Sequence, residues 1–353
     1  MSNSKQSGII KSSASSNIAL VKYWGKKNHQ IPENPSVSFS LSHCKTFTET
    51  TWEIKEDKCS AMEMAFYFED KKNFEFQQRV LKYLETISSF HTIPHNIKLK
   101  INSRNTFPHS SGIASSASFM ASMALMMKKL DELINEHSSS LGEFAKEVSK
   151  WARIGSGSAC RSIFGPICLW GKLEGCGESS DEYAVPIKNY HEIFSDYRDT
   201  ILIVDSTPKN ISSQKGHQLM AEHPFKEIRY LQARDNCQKI LNAIKMGDLE
   251  TFVKIVENEA LMLHGLMMTG VNPYILLKPN TLTIIDKIIR FRDKTQVPVA
   301  FTLDAGPNIH LLYPNRFHAE IMVYIQKELI QFLDNGNFIE DKVSVRPTTI
   351  EFI

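Results

Sequence analysis

Between residues 107 and 118 the chain reads Phe-Pro-His-Ser-Ser-Gly-Ile-Ala-Ser-Ser-Ala-Ser, small and hydroxylated residues set between a strand-like stretch and a long apolar segment. Residues 96–101 alternate apolar and polar side chains as a half-buried strand does, and residues 113–130 carry enough Ala, Met, Phe and Leu to form a buried helix. Gly112 falls where the chain turns into that helix. At such a turn the first backbone N–H groups have no partner within the helix, the dipole is positive, and missing side chains let a polyphosphate approach. Ser110, Ser111, Ser115 and Ser116 add hydroxyl donors, and Ala114 between them adds little bulk. Two readings are open at this point. One is a helix capped by serines, the commonest use of Ser at such a position; the other is a phosphate cradle.

Composition removes several classes before the motifs are weighed. The chain has 353 residues, 42% of them apolar, and 41 Lys and Arg against 39 Asp and Glu give a formal net charge of +2. That length suits one large or two medium domains. The cations form no basic block or arginine-rich arm, which argues against a nucleic-acid partner and for a small, locally held anion. Cys44, Cys59, Cys160, Cys168, Cys176 and Cys237 include no C-x-x-C pair and no tight spacing with His, so neither a zinc site nor a disulfide framework is expected. Reduced thiols fit a cytoplasmic setting. Residues 1–16 are polar and Ser-rich, and no stretch approaches bilayer-spanning length, so no membrane attachment is expected.

Strand patterns at residues 8–14, 36–41, 46–54, 62–68 and 96–101 come in neighbouring groups, with an amphipathic helix at 74–87. Lacking regular strand–helix alternation, this half reads as a layered α+β fold and not as a doubly wound parallel sheet. A helix at 141–151 follows, with short strands at 165–171 and 183–187 around a Gly- and acid-rich loop at 174–182. After the polar stretch 188–199, a fresh apolar strand at 200–205 opens a second half. That half holds helices at 225–245, 249–264, 281–292 and 319–333 and strands at 297–303 and 309–313. The expected division is residues 1–188 and residues 189–353.

Three further constellations carry chemistry. Near the N-terminus, Lys22 and Lys26 flank Tyr23, Trp24 and Gly25, so that two cations and a partly dry aromatic wall could face an anionic substrate. The bland alternative is a strand end with exposed lysines. In Ser156-Gly157-Ser158-Ala159-Cys160-Arg161, glycine frees the backbone, serines donate, and Arg161 can hold a carboxylate or phosphate with two parallel hydrogen bonds. A Gly-Ser linker is the alternative, disfavoured by the apolar Ile163 and Phe164 that follow. Asp304 ends the apolar strand before Ala305-Gly306-Pro307-Asn308. An acid there serves either as a turn cap or as the group beside a hydroxyl about to attack phosphorus.

Taken together, Asn17-Ile18-Ala19, Lys22 through Lys26, Pro108 through Ala117, Ser156 through Arg161, and Asp304 through Asn308 resemble the diphosphomevalonate decarboxylase family of the GHMP kinase superfamily. Four motifs in the family's order, spread over both halves, carry this resemblance. It implies a GHMP kinase fold, with an N-terminal domain of the ribosomal protein S5 domain 2 type and a C-terminal ferredoxin-like α/β sandwich, as a homodimer. It implies that ATP with Mg2+ phosphorylates the 3-hydroxyl of mevalonate 5-diphosphate and that the 3-phosphate leaves as carbon dioxide is lost, giving isopentenyl diphosphate. The matching positions make Asp304, Lys22 and Arg161 catalytic. Asp304 would orient or deprotonate the hydroxyl, Lys22 would lie near the transferring phosphoryl, and Arg161 would hold the C1 carboxylate. Tyr23, Trp24, Gly25, Lys26, the loop from Ser156 to Arg161, and Ser213 and Gln214 fall on substrate-binding positions. Ser110, Ser111, Gly112, Ala114, Ser115 and Ser116 fall on the nucleotide phosphate loop, with Ser115 or Ser116 beside a magnesium ion held mainly by ATP.

The chain departs from the resembled pattern in places. Asn34-Pro35-Ser36 has one serine where the family often has two, and Gln214 stands where Thr is usual. Lys71, Lys72 and Phe76 occupy the region where eukaryotic members place an Arg that helps bind the 5-diphosphate. These differences leave two alternatives: a mevalonate 5-phosphate decarboxylase, or a GHMP small-molecule kinase without decarboxylation.

Overall fold

The computed structural model describes residues 6–108, 113–207 and 213–353, and the side chains of 213 and 214 fall outside it. Its first half runs through β1 (Ser7–Ala19), β2 (Ser36–Ile54), β3 (Glu63–Phe68), β4 (Lys71–Lys72), α1 (Phe74–Ile87), β5 (Ile97–Asn105), α2 (Ser115–Ile134), α3 (Leu141–Gly155), β6 (Ile167–Trp170) and β7 (Ala184–Pro186). The second half holds β8 (Arg198–Leu202), α4 (Ser213–Leu219), α5 (Lys226–Met246), α6 (Leu249–Thr269), α7 (Pro279–Thr295), β9 (Ala300–Thr302), β10 (Ile309–Tyr313), α8 (His318–Tyr324), β11 (Phe338–Lys342) and β12 (Thr348–Phe352). One sheet has the order β12-β1-β2-β5-β3-β4, with β6 pairing β2 and β7 pairing β6; the other is β11-β8-β10-β9. Among the described strands only β3 and β5 pair in parallel, so the architecture is α+β, as the grouping of strand patterns predicts.

The helix α2 lies on the first sheet because its sequence is small on one side and bulky on the other. Ala117, Ser118, Ala121 and Ser122 are fully buried. Their small volumes let the helix axis come close to the sheet, and the hydroxyls are satisfied across the contact. Ser122 Oγ donates to Thr48 Oγ1 at 2.9 Å, and Ser118 Oγ lies 2.7 Å from Thr46 Oγ1. Met123, Met126, Met127 and Leu130 fill the core formed with α1 and α3. The same satisfaction explains β1, whose Ser-Ser-Ala-Ser-Ser run looks too polar for a core strand. Ser15 Oγ donates to the carbonyl of Pro347 at 3.0 Å and Ser16 Oγ to that of Ile113 at 2.6 Å, so burial leaves no unmet hydroxyl there. The last of these bonds ties the end of β1 to the entrance of α2.

The two halves share one core. Ile18, Val37, Phe39 and Leu41 from the first pack with Ile201, Ala233, Cys237, Ile240 and Phe252 from the second. Phe39 stacks on Phe252 at 5.9 Å between ring centroids, with Tyr197 5.8 Å away. The chain also crosses back, since β12 follows the second sheet in sequence and pairs antiparallel with β1 in the first. A buried carboxylate adds a third tie. Asp341 on β11 accepts the backbone N–H groups of Ser42 at 2.9 Å, His43 at 2.8 Å and Cys44 at 2.7 Å, where β2 passes from one sheet toward the other.

Several elements differ from the sequence patterns. Residues 36–54 form one strand where two are expected, because Asp341 supplies acceptors through the polar interval 42–45. β11 and β12 escape notice, since Glu340, Asp341 and Glu351 interrupt any apolar alternation. The helix expected at 319–333 is α-helical only over His318–Tyr324 and continues as a π-turn at Ile325–Leu329. Replacing Asp341 with Ala strands three backbone donors in a dry seam. The expected outcome is a loss of about 3 kcal/mol or more in unfolding free energy, read from urea denaturation, with Asp341→Asn losing less because one acceptor survives.

Candidate active site

Lys22 follows the end of β1 and is buried to 2% exposure. Its Nζ donates to the carbonyl of Ala19 at 2.7 Å and lies 3.2 Å from Asp304 Oδ1. Burial pushes the ammonium below its ordinary pKa, Asp304 and Glu259 support its charge, and the nearby Arg161 opposes it. Asp304 stands just past β9, with its carboxylate still partly open to solvent. Its backbone is held twice, as Gly306 N–H donates to its carbonyl at 2.7 Å and His264 Nε2 lies 3.0 Å from the same oxygen. The turn beyond is locked by Asn308, whose Oδ1 accepts from Val204 N at 2.7 Å and Asp205 N at 3.0 Å.

Arg161 lies in the 3-10 segment Gly157–Ile163 after α3 and is 5% exposed. One guanidinium nitrogen donates to Ser36 Oγ, and that hydroxyl donates to the carbonyl of Val21 at 2.6 Å, which sets Arg161 beside Lys22. Among the described residues, Arg161 Nε, Tyr23 Oη, Asn17 Oδ1 and Asn34 Oδ1 are buried without a hydrogen-bond partner. Lys22, Asp304 and Arg161, drawn from three separated motifs, therefore meet around one spot.

The aromatic wall takes a form the sequence does not foretell. The Tyr23 ring packs on Trp170 at 4.7 Å and on His217 at 4.3 Å, while Trp24 lies 4.6 Å from His217. His217 Nδ1 accepts from Gly25 N–H at 3.1 Å. Burial, followed by the nearby cations Lys26 and Arg161, drives its pKa down to about 3, so the ring is neutral. Gly25 has φ +96, a left-handed conformation, and a Cβ there would collide with the Tyr230 hydroxyl. Gly157 is equally confined, since a Cβ would come within 2.9 Å of Tyr23 Oη. Lys26 turns away from this group to Gln30 Oε1 at 2.8 Å.

In the loop after α3, Ser156 and Ser158 are partly accessible, whereas Ala159 and Cys160 are fully buried and offer a ligand only their backbone. Cys160 Sγ lies 3.1 Å from the Gly157 carbonyl, and burial raises its thiol pKa well above normal. Asn17 Nδ2 donates to the carbonyl of Ser158 at 3.2 Å and to Ser162 Oγ at 2.8 Å, holding the loop against β1. Ser110, Ser111 and Gly112 lie outside the described residues, as do the side chains of Ser213 and Gln214 at the start of α4. Phe76 is absorbed in stacking with Phe66 and Phe68, and Lys71 and Lys72 form an exposed two-residue strand.

The start of α2 bears on the serine-rich run through the residues from Ile113 onward. Its N-cap is Ala114 in a left-handed conformation, with no side-chain cap bond, so serine capping does not occur at that position. Ala117 N–H closes on the Ala114 carbonyl at 2.9 Å, while Ser115 is half-buried and Ser116 exposed at a helix start, a place that favours an anion. Ser116 Oγ lies 3.5 Å from Ser156 Oγ, joining this helix mouth to the loop that carries Arg161. Among the described residues no group of three His, Cys, Asp or Glu is placed to hold a metal ion.

Sequence reading missed four residues of this region: His217, Arg229, Asn236 and Glu259. Arg229 on α5 makes two bonds to Glu259 on α6, at 2.7 and 2.6 Å, and Asn236 Nδ2 donates to the same carboxylate at 2.6 Å. One signal was present for Glu259, which falls among Ile255, Val256, Ala260 and Leu263 on the buried side of its helix.

Two family models match the chain. The family model for the diphosphomevalonate decarboxylase-like N-terminal domain matches residues 14–183, and that for the mevalonate 5-diphosphate decarboxylase C-terminal domain matches residues 200–350. The diphosphomevalonate decarboxylase of Eremothecium gossypii is 31% identical over 86% of this chain and 77% of its own. That of Saccharomyces cerevisiae is 29% identical over 88% and 79%. The solved mevalonate diphosphate decarboxylase of Staphylococcus aureus superposes with a TM-score of 0.82 at 26% identity, over 98% of both chains. A solved complex with MVAPP, AMPPCP and magnesium gives a TM-score of 0.81 at 26% identity, over 98% of this chain and 99% of that one.

The neutral imidazole of His217 makes a pH signature. Its pKa in the folded state, about 3, lies below its ordinary 6.5, so the unfolded chain binds the extra proton between those values. Its contribution to stability is complete above pH 6.5 and is lost as the pH falls toward 3. Thermal melts from pH 7 to pH 4 should therefore show a shallower acid decline for His217→Gln than for the wild type; parallel curves would contradict this.

Proposed function

This chain belongs to the mevalonate 5-diphosphate decarboxylase family, with the GHMP kinase fold, and we propose that Lys22, Arg161 and Asp304 form the reacting centre of its ATP-dependent decarboxylation of mevalonate diphosphate. The observation that carries this reading is the meeting of a partly open carboxylate, a buried ammonium 3.2 Å away and a buried guanidinium beside them. A β-hydroxy acid loses carbon dioxide only when the hydroxyl becomes a group able to leave with the electron pair. Asp304 orients the 3-hydroxyl and takes its proton as the oxygen attacks the γ-phosphorus of ATP, and ADP departs. Lys22 offsets the negative charge that spreads over the transferring phosphoryl. Arg161 holds the C1 carboxylate until the C1–C2 bond breaks, its electrons form the new double bond, and the C3–O bond releases phosphate. The products are isopentenyl diphosphate, ADP, phosphate and carbon dioxide.

In this reading Tyr23 and Trp24 wall the substrate, with Gly25, the loop from Ser156 to Arg161, and Ser213 and Gln214 at its polar groups. Ser115 and Ser116 serve the nucleotide phosphates. Magnesium on ATP supplies neutralisation of phosphate charge, and Ser115 or Ser116 is the protein group to hold it. A homodimer acting in the cytoplasm completes the reading, together with the division at residues 188 and 189; no helix in the described residues is long and apolar enough to cross a membrane.

The purified protein should release carbon dioxide and ADP in equal amounts from ATP and mevalonate 5-diphosphate. Better turnover of mevalonate 5-phosphate would reassign the substrate, and ADP without carbon dioxide would make the protein a simple kinase. Asp304→Asn should lower kcat by about 10²-fold or more with KM little changed, as for a group that acts mainly in the transition state. Arg161→Met should lower carbon dioxide release and substrate affinity together, measured by steady-state kinetics.

A further inference from the structure

Lys22 is gripped at its backbone as well as at its ammonium. Its N–H donates to Glu259 Oε2 at 2.8 Å. Its carbonyl accepts from Arg229 Nη2 at 3.0 Å and from Asn34 Nδ2 at 3.0 Å. Arg229 and Glu259 are themselves joined through both guanidinium nitrogens, and Asn236 completes the carboxylate's shell. Glu259 is fully buried and Arg229 is 2% exposed. The ion pair of this brace comes from α5 and α6, whereas Lys22 and Asn34 belong to the segment between β1 and β2.

We propose that Glu259 and Arg229 are positioning residues for the phosphoryl-transfer step, clamping the N–H and carbonyl of Lys22 so that its ammonium is fixed against Asp304. The proposal rests on Lys22 and Asp304 acting as described above. Two features separate it from a merely structural ion pair. Each partner spends one bond on the backbone of the same residue, and that residue's ammonium lies 3.2 Å from the proposed base. With both peptide groups of Lys22 held, its side chain has a fixed origin. From there Nζ reaches the Ala19 carbonyl and Asp304 together. A displacement of about 1 Å at a reacting group costs on the order of 10²-fold in rate.

Among the described residues, the charged groups whose fields meet the Lys22 ammonium are Asp304, Arg161, Glu259 and the buried Asp199. Glu259→Gln leaves a single oxygen to serve the Lys22 N–H, Arg229 and Asn236, which loosens the clamp, and it removes a negative charge that sustains the ammonium, so the alkaline limb of the kcat–pH profile should move to lower pH. In the full-length protein, kcat should fall by about 10²-fold while KM for mevalonate diphosphate and for ATP changes less than about threefold. Because the substitution leaves Arg229 buried without a counter-charge, folding is checked by circular dichroism. The double variant Arg229→Met, Glu259→Leu, which removes both charges and the clamp, should fold and show the same loss of kcat at unchanged KM.

Wild-type kcat in either folded variant overturns the proposal, as does a fall in kcat with an unmoved alkaline limb in Glu259→Gln. Failure of both variants to fold also overturns it, by making the pair scaffold alone. Absence of decarboxylase activity in the wild type would instead refute the functional reading, so the two failures are distinguishable.

Discussion

Lys22 brings a positive charge into a place where the protein leaves it almost no water, and the groups that make this tolerable come from both halves of the chain. An isolated buried ammonium would shed its proton or unfold its surroundings. Here Asp304 and Glu259 approach from the second half, while the Ala19 carbonyl accepts from within the first. The shared apolar core, with Phe39 against Phe252, excludes solvent behind the ion pair and strengthens each of these interactions. The site therefore requires the two halves to meet, because neither supplies the charge and its compensation alone.

How much of this can be read from sequence depends on whether a residue's type is unusual for its place. An acid closing an apolar strand at Asp304, lysines around an aromatic pair at Lys22, and an Arg after a Gly-Ser turn at Arg161 all depart from what packing or solvation would choose. Their sites were legible for that reason. Arg229 is the opposite case. It sits in α5 among Lys226, Glu227, Arg234 and Asp235, where one more charge looks like solvated surface, and its partner lies thirty positions away. His217 was invisible because its role is set by rings and an amide from a distant segment. The fold shows the same pattern: α2 and the alternating β5 were readable, whereas β11 and β12 depend on partners that no local period reveals.

The serine-rich run illustrates how structure separates two uses of one residue type. Ser118 and Ser122 lie under the helix and serve its docking to the sheet. Ser115 and Ser116 stand at its mouth, and the cap position between helix and loop belongs to an alanine. Four similar side chains within eight positions thus divide into two that hold the element and two at its open end. Ser16, by bonding the Ile113 carbonyl, sets the distance between the mouth of α2 and the strand that leads to Lys22.

The return of β12 to β1 has a mechanical consequence. Five residues of the last strand are laced into the first sheet, Asp341 grips β2, and Arg229 and Glu259 hold the segment after β1. Opening the halves as rigid jaws would shear all three couplings at once. The two sheets and the segment after β1 thus form one mechanical unit, so a strain applied at either half is borne by both.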